Sequence, residues 1–208
     1  MRIFLVRHGE TYANTLFGTD KQILIGALDN EITQLNERGK DQAERARKIL
    51  KSHLNLEDCN VYSSDLGRTK ETSRIVFGNI HINYDARLRE RTLGVLEGLK
   101  YIDVINDPDL SIYLPNSDDC DFEAYINTKH PTGESYLDVY LRCKEFIDSI
   151  KDSEKDVVIV SHFHTLRCFY YAYAGMELDS NINQMLIENA NPYEISFVEG
   201  LPVLKILE

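Results

Sequence analysis

Short apolar runs alternate with helical patterns along most of this chain, and that alternation restricts the possible folds more than any other feature. Runs rich in β-branched and aromatic residues cover residues 3–6, 60–63, 81–84 and 156–160. Segments with helical spacing of apolar residues follow them near 35–50, 64–78, 133–150 and 164–174. Consecutive strands joined by helical crossovers pair in parallel. The sequence therefore predicts an α/β fold around a mostly parallel sheet.

The remaining segments complete one predicted domain over residues 1–208. Two apolar runs at 193–198 and 202–207 indicate a closing hairpin. With 208 residues, 43% of them apolar, the chain can bury a proper core. Residues from about 99 to 131 read as an acidic insertion that covers the carboxyl edge of the sheet. From Tyr101 to Thr128 there are seven Asp and Glu but no Lys or Arg, and Pro108 and Pro115 interrupt any long helix.

Charge and cysteine usage limit the compartment and the partners. The net charge of -11 argues against nucleic acid and against an anionic membrane as partners, because both require a basic surface. The four cysteines form no Cys-x-x-Cys pair, nothing at the N-terminus resembles a signal peptide, and no apolar stretch approaches ~20 residues. We expect a cytoplasmic protein with free thiols, and a homodimer is left open.

Polar side chains follow each predicted strand within a few residues of its last apolar position. The groups are Arg7-His8, Ser63 to Arg68, Arg87 to Arg91 and Ser161-His162. If the strands are parallel, all four groups lie along one edge of the sheet, where open α/β sheets bind ligands. Two histidines, two arginines and a carboxylate suit phosphoryl transfer, with an imidazole nucleophile, cations around the phosphoryl oxygens and a carboxylic acid for the leaving oxygen.

The position of Arg68 is independent evidence for an anion-binding site. If Asp65 caps the helix that follows, Arg68 lies in its first turn, where a cation opposes the helix dipole at a cost of about 0.3–1 kcal/mol. A cation at this position makes sense if it shares an anion with the free N–H groups of the helix. The alternative is a surface arginine bonded to a nearby carboxylate.

These motifs, in this order, resemble the histidine phosphatase superfamily, the phosphoglycerate mutase-like proteins. The resemblance extends over nearly the whole chain. It is carried by Arg7-His8-Gly9-Glu10-Thr11 with Asn14, Ser63-Ser64-x-Leu66-x-Arg68-Thr69, Leu88-x-Glu90 with Gly94 and Glu97-Gly98, Gly133-Glu134-Ser135 and Val160-Ser161-His162.

The resemblance implies a three-layer α/β/α fold and a metal-free mechanism through a phosphohistidine. By position it implies that His8 is the nucleophile and Glu90 the proton donor. Arg7, Arg68 and His162 would hold the phosphoryl group, and Asn14 would line the same pocket. We expect no cofactor and no metal, and we expect burial or bound phosphate to raise the pKa of Glu90 in the complex.

Several positions depart from the family pattern. Phe163 stands where a glycine or another small residue usually follows the second histidine, and its ring would narrow the pocket or stack on the leaving group. Glu90-Arg91 resembles the cofactor-dependent mutases, which suggests that Arg91 also binds substrate. Those mutases carry a tyrosine in place of Leu93, a lysine in place of Tyr101 and two arginines in the insertion. Without these cations, a hydrolase fits better than a mutase.

The sequence thus predicts a phosphomonoester hydrolase for a small phosphorylated metabolite, and the acidic insertion favours monophosphates with neutral or cationic remainders. Two alternatives remain: a phosphoglycerate mutase-type phosphotransferase, and a non-catalytic protein that binds a phosphate ligand or a phosphoprotein. His162 and His164 are also considered as a metal pair, but no carboxylate or cysteine cluster accompanies them. His53, His81 and His130 lie outside the motifs and are expected on the surface or in loops.

Overall fold

The computed structural model describes residues 1–114 and 122–208 and contains a six-stranded mixed sheet between two layers of helices. The strands are β1 (Ile3–Arg7), β2 (Cys59–Ser63), β3 (Ile82–Tyr84), β4 (Asp156–Ser161), β5 (Pro192–Val198) and β6 (Leu201–Ile206). Their order across the sheet is β3-β2-β4-β1-β5-β6. The four strands β3, β2, β4 and β1 are parallel, β5 runs antiparallel to β1, and β5 and β6 form the predicted hairpin.

The described helices include seven α-helices and several short 3₁₀ segments. The α-helices are α1 (Glu37–His53), α2 (Gly67–Phe77), α3 (Tyr101–Asn106), α4 (Pro108–Ser111), α5 (Phe122–Asn127), α6 (Tyr136–Ile150) and α7 (Phe163–Tyr173). The 3₁₀ segments are Ala13–Leu16, Glu31–Thr33, Leu56–Asp58, Ala86–Leu88, Gly94–Leu96 and Ser180–Gln184. The mostly parallel α/β fold that the strand and helix patterns predict is confirmed.

Alternation along the central strands builds two cores, one on each face of the sheet. In β1, Ile3 and Leu5 pack with α6 and α7, whereas Phe4 and Val6 pack with α1 and α2. All four side chains are fully buried, as are Val157 to Val160 of β4. Successive side chains of a strand point to opposite faces. A central strand buried on both faces is therefore apolar throughout, which makes these two runs the clearest strand signals in the sequence.

Parallel pairing aligns the strand ends that carry the polar groups. Arg7 of β1 is in register with Ser161 of β4, and Ser63 of β2 is in register with Val160 of β4. The backbone N–H of His8 donates to the carbonyl of Ser161 at 3.0 Å, and that of Ser64 donates to the carbonyl of Val160 at 2.9 Å. The residues after β1, β2 and β4 consequently meet at one edge of the sheet.

Specific caps define the start of α6 and the end of α2. Ser135 and Asp138 form a reciprocal capping box at the start of α6. The prediction that Asp65 caps α2 is wrong: Leu66 is the N-cap residue, and the Asp65 carboxylate pairs with Arg89 at 2.6 Å. Arg68 still lies in the first turn of α2. Gly78 ends that helix with a positive φ of 62°, which favours glycine.

The described part of the acidic segment packs around a small core of its own. Val104 of α3 is buried with Leu24, Leu93 and Leu96. Pro108 is the first residue of α4, a position that tolerates a missing N–H. The predictions for Pro115, Asp118, Asp119, Cys120 and Asp121 fall outside the described residues. In the described part of the chain, no helix has the length and apolar character to cross a membrane, and Cys59, Cys143 and Cys168 are free thiols.

Candidate active site

The loop after β1 is held by a very close backbone approach. A Cβ atom on Gly9 would lie 2.3 Å from the carbonyl oxygen of Gly39 in α1, and one on Gly39 would lie 2.0 Å from that of Glu10. Real Cβ atoms do not approach backbone oxygens so closely, and both positions therefore require glycine. Gly9 does not have a positive φ. Its role is close contact with α1 rather than a sharp turn.

The side chain of His8 is buried, and one of its two ring nitrogens is hydrogen-bonded to a backbone carbonyl. Its Nδ1 lies 2.8 Å from the carbonyl oxygen of Gly9. A carbonyl only accepts, so Nδ1 carries the proton and Nε2 keeps its lone pair. Burial first, and then the positive charges of Arg68 and Arg7, hold the pKa of His8 well below its usual 6.5. The imidazole is neutral at pH 7, as a nucleophile requires.

Arg68, His162 and Ser64 form a fully buried network beside His8. The Nε of Arg68 donates to Nδ1 of His162 at 3.1 Å, and Nε2 of His162 lies 2.8 Å from Oγ of Ser64. The ring centroids of His162 and His8 are 5.3 Å apart. Burial and Arg68 lower the pKa of His162 well below 6.5. Because Nδ1 accepts from Arg68, the neutral ring carries its proton on Nε2.

Backbone carbonyls fix the guanidinium of Arg68 from the other side. Its two terminal nitrogens donate to the carbonyl oxygens of Leu28 at 2.9 Å and Gly26 at 2.8 Å. A guanidinium has five N–H donors. The three observed bonds leave two donors for a phosphoryl group, and they hold those donors in one orientation.

Arg7 enters the site from the end of β1. One terminal nitrogen donates to the carbonyl of Ile187 at 3.0 Å, while Nε is buried without a hydrogen-bond partner among the described residues. Burial, opposed in part by Glu90, lowers the pKa of Arg7 to about 10, so the side chain remains charged at pH 7. A buried charge with an unused donor suits an anionic ligand.

Phe163 supports two arginines. Its ring lies 4.9 Å from the guanidinium carbon of Arg7 and 3.8 Å from that of Arg167. Arg167 is itself fixed by bonds to the carbonyls of Met185 and Asn183. The ring of Phe163 also packs against the core on the α6 and α7 side of the sheet. The aromatic replacement therefore shapes the position of Arg7.

Glu90 is buried in a cage of donors at the start of α7. Its Oε1 accepts from the backbone N–H of Arg91 at 2.9 Å and from the N–H and Oγ1 of Thr165 at 3.3 Å. Its Oε2 accepts from the backbone N–H of His164 at 3.3 Å and lies 3.4 Å from Nδ1 of that histidine. This is the favourable placement of an anion at a helix N-terminus.

The cage determines the charge of Glu90 in the ligand-free protein. Burial acts to raise its pKa, but the nearby His164, His162 and the N–H of Arg91 outweigh burial and hold the pKa well below 4.5. The predicted rise in the pKa of Glu90 applies to the complex with phosphate. In the absence of a ligand the carboxylate is ionised.

Arg91 and Asn14 occupy different parts of the region. The Arg91 guanidinium lies 4.4 Å above the ring of Tyr136, with Nε buried and without a partner among the described residues. Asn14 Oδ1 accepts from the backbone N–H of Thr11 at 3.0 Å. Asn189 bridges this turn to the carbonyl of His8. Asn14 thus stabilises the loop that carries the candidate nucleophile, and its amide nitrogen is not used in these contacts.

A cavity of about 610 Å³ opens next to Arg91 and His164. Its walls are mainly aromatic and apolar side chains of the insertion and of α6: Tyr101, Ile105, Tyr113, Leu114, Tyr125 and Tyr136, with Ser111 and Thr128. None of the four described carboxylates of the insertion (Asp103, Asp107, Asp109 and Glu123) is among the lining residues. Within the described residues, the wall is therefore aromatic with one cation, not acidic.

Other motif residues support the site without facing it. Glu97 Oε1 accepts from the backbone N–H groups of Ala27 and Leu93, and it thereby fixes the loop whose carbonyls bind Arg68. Glu134 pairs with Arg142 at 2.8 Å. A Cβ on Gly94 would lie 2.0 Å from the carbonyl oxygen of Pro131. These glycines and acids of the motifs are therefore required by packing and by the structure of the loops.

Three residues near the site have roles that the motifs did not predict. His164 contacts Glu90, and Arg167 supports Phe163. His130 lies in a loop, one of the two locations predicted, but it is buried rather than on the surface: it is 1% exposed, stacks near Tyr113, and has both ring nitrogens without partners among the described residues. Burial and Arg91 lower its pKa to about 4. Only the tertiary contacts show these roles, because each residue lies in an unremarkable sequence context.

The geometry does not favour a metal site at His162 and His164, the pair considered and set aside from the sequence. Both ring nitrogens of His162 are engaged, and His164 faces Glu90. Within residues 1–114 and 122–208, no group of three or more His, Cys, Asp or Glu side chains is arranged to hold a metal ion.

Comparison with known proteins agrees with the fold and the motifs. The α-ribazole phosphatase of Shigella flexneri superposes with a TM-score of 0.79 over all of this chain and 96% of its own, at 22% identity, which shows a shared fold. The mycobacterial glucosyl-3-phosphoglycerate phosphatase in complex with VO3 superposes with a TM-score of 0.75 at 26% identity, over 99% of this chain and 97% of its own. The chain is therefore an enzyme of the phosphatase class.

Sequence comparison defines the family. Residues 3–208 match the histidine phosphatase superfamily (branch 1). The phosphoglycerate mutase-like protein 4 of Arabidopsis thaliana is 33% identical over 175 residues, which cover 81% of this chain and 69% of that protein. The chain belongs to the histidine phosphatase superfamily, as the motifs predicted.

Proposed function

We propose that this protein hydrolyses phosphomonoesters of a small metabolite through a phosphohistidine at His8, without a metal ion. One observation carries the proposal: His8 is buried and neutral, with Nδ1 bound to Gly9 and Nε2 left as the nucleophile, beside a fixed array of cations. A neutral imidazole with a defined tautomer is prepared for attack. A protein that only binds phosphate does not require this arrangement.

In the first step the lone pair of His8 Nε2 forms a bond to phosphorus while the bond from phosphorus to the ester oxygen breaks. Arg7 and Arg68 are positioned for the charge that develops on the phosphoryl oxygens, and the Nε2–H of His162 joins them when it exchanges its bond to Ser64 for one to a phosphoryl oxygen. Fixed donors in a buried site stabilise such charge without reorganisation. Protonated Glu90 supplies a proton to the departing oxygen.

In the second step a water oxygen forms a bond to phosphorus and the bond from phosphorus to Nε2 breaks. Glu90, now a carboxylate, accepts the proton from the attacking water. The overall reaction converts a phosphate ester and water into an alcohol and inorganic phosphate, with no net change in protons. His8 and Glu90 return to their starting states.

The cavity supports a leaving group that is mostly uncharged. Among the described residues, its walls offer tyrosine faces and one guanidinium, that of Arg91. Aromatic faces stack on flat or apolar groups. We therefore infer monophosphates of alcohols larger than a simple amino acid as substrates, with room for at most one further anionic group at Arg91. The reduced thiols and acidic surface support a cytoplasmic location.

The proposal is tested by trapping the intermediate. Wild-type protein mixed with labelled p-nitrophenyl phosphate and quenched in alkali should carry base-stable, acid-labile phosphate on His8. His8→Ala should carry none and should lose at least ~10³-fold in kcat, because the covalent route is removed. His81→Asn, at an exposed histidine, is the matched control and should behave as wild type.

The same assays separate the alternative functions. Hydrolysis of p-nitrophenyl phosphate by His8→Ala at the wild-type rate would refute the assignment. Binding of vanadate with no turnover across a panel of phosphate esters would indicate a non-catalytic binding protein. Interconversion of phosphoglycerates that depends on a bisphosphate primer would indicate a mutase.

A further inference from the structure

The state of Glu90 poses a chemical question that rests on the proposed function. A general acid must be protonated when the leaving group departs. The ligand-free carboxylate instead accepts bonds from Arg91, His164 and Thr165 and is ionised. A proton must reach it after the substrate binds and before the ester bond breaks.

His164 is placed between this carboxylate and the open cavity. Its Nδ1 lies 3.4 Å from Oε2 of Glu90, and its side chain is 32% exposed. The residue also lines the cavity. Its ring is held edge-on by Tyr136, with centroids 5.5 Å apart, and by Phe163, with centroids 5.3 Å apart. The imidazole of His164 therefore contacts the buried carboxylate of Glu90 through Nδ1, and part of the same ring is exposed to solvent.

Several other ionisable groups lie around the pair among the described residues. The ionisable side chains that face Glu90 or His164 are Arg7 of β1, His8, Arg68 of α2, Arg91, Tyr136, Arg142 and Cys143 of α6, and His162, Arg167 and Cys168 on α7 or at its start. The arginines stay charged and the thiols and tyrosine stay neutral at pH 7. His162 is fully buried and is committed to Arg68 and Ser64.

We propose that His164 relays a proton between the cavity and Glu90 and thereby loads the general acid when substrate binds. The negative phosphoryl group raises the proton affinity of the carboxylate. The Nδ1 proton of His164 passes to Oε2 of Glu90, and Nε2 takes up one proton that the bulk solvent supplies through the water of the cavity, so that the protein gains one proton in all. After phosphate leaves, the same two transfers run in reverse. Bonds and charges balance without rotation of the ring.

The main test replaces His164 with asparagine, whose amide can still donate to Glu90 from the position of Nδ1 but cannot relay a proton. Rates are compared on p-nitrophenyl phosphate, whose leaving group needs little protonation, and on phenyl phosphate, whose leaving group needs more. We expect His164→Asn to lose less than ~3-fold in kcat on the former and ~30-fold or more on the latter. His81→Asn should change neither rate.

Two further measurements distinguish a relay from a structural contact. For His164→Ala, added imidazole should restore turnover of phenyl phosphate but not change that of p-nitrophenyl phosphate, because the cavity admits a small base. In the wild type, binding of tungstate, a dianion that resembles a phosphoryl group, should take up a proton. Calorimetry in buffers of different protonation enthalpy measures that uptake. His164→Asn should leave it unchanged, because a relay alters the path of the proton and not its equilibrium position, whereas Glu90→Gln should abolish it.

Each outcome bears on a separate claim. Equal losses on both esters with an unchanged pH profile would show that His164 only holds Glu90 in place, and would overturn the relay. Absence of any phosphohistidine and of any hydrolysis by the wild type would overturn the proposed function instead. The tungstate measurement still tests the protonation of Glu90 on anion binding in that case, because it needs no turnover.

Discussion

Replacing Arg68 with lysine tests how much of the site depends on a fixed guanidinium rather than on charge alone. The arginine is 2% exposed and donates to His162, Leu28 and Gly26. Lysine keeps the charge but has a single nitrogen. Each of the three bonds uses a different nitrogen of the guanidinium, and one ammonium cannot occupy all three positions, so we expect about two of the bonds to be lost.

The expected loss of stability can be calculated from the loss of those two hydrogen bonds. At about 1–1.5 kcal/mol each, their loss lowers the free energy of unfolding by roughly 2–3 kcal/mol. For a chain of this size, a loss of 1 kcal/mol lowers Tm by about 2–4 °C, which gives a drop of roughly 4–12 °C. Loss of the oriented donors at the developing phosphoryl charge should also lower kcat/KM by about 10²–10³-fold.

Thermal unfolding and steady-state kinetics on p-nitrophenyl phosphate measure both effects. Arg89→Lys is the matched control: Arg89 pairs with Asp65 near the same helix, but it is about half exposed. It should lower Tm by less than ~2 °C, because surface ion pairs contribute little. If Arg68→Lys kept kcat/KM within threefold of the wild type, charge alone would suffice and the role assigned to the guanidinium geometry would be wrong.

Three other changes should have measurable results. Gly9→Ala and Gly39→Ala each place a Cβ within 2.3 Å of a backbone oxygen and should each cost about 1–3 kcal/mol of stability in denaturant unfolding, whereas tolerance of both would contradict the close approach of the loop and α1. Hydrolysis should survive EDTA, and loss of activity that a divalent cation restores would overturn the metal-free mechanism. Buried His8, His162 and His130 have lowered pKa values, so the unfolded chain binds more protons below about pH 6.5. Stability should be fully present above that pH and fall on acidification. His130→Phe should reduce this loss between pH 6.5 and about 4, and an unchanged slope of Tm with pH would show that His130 does not contribute.

The active site shows which features local sequence patterns can predict and which they cannot. His8, Arg68, Glu90 and His162 could be proposed from sequence because each follows a recognisable strand, and parallel strands end at a common edge. The ionised state of Glu90 could not, because it depends on N–H groups of α7 that are 74 and 75 residues away. The fixed orientation of Arg68 likewise depends on carbonyls 40 and 42 residues away.

The sequence by itself determined the alternation of strands and helices, the two-sided burial of β1 and β4, and the family of the chain. These features rest on periodicity and on contiguous motifs, which are local properties of the chain. Tertiary structure alone decided that Gly9 is required for contact with α1, that Phe163 supports Arg7, that His130 is buried and that His164 meets Glu90. Those facts depend on which side chains approach one another across the fold, and the free energy of a buried charge or close contact is set by neighbours that are distant in sequence.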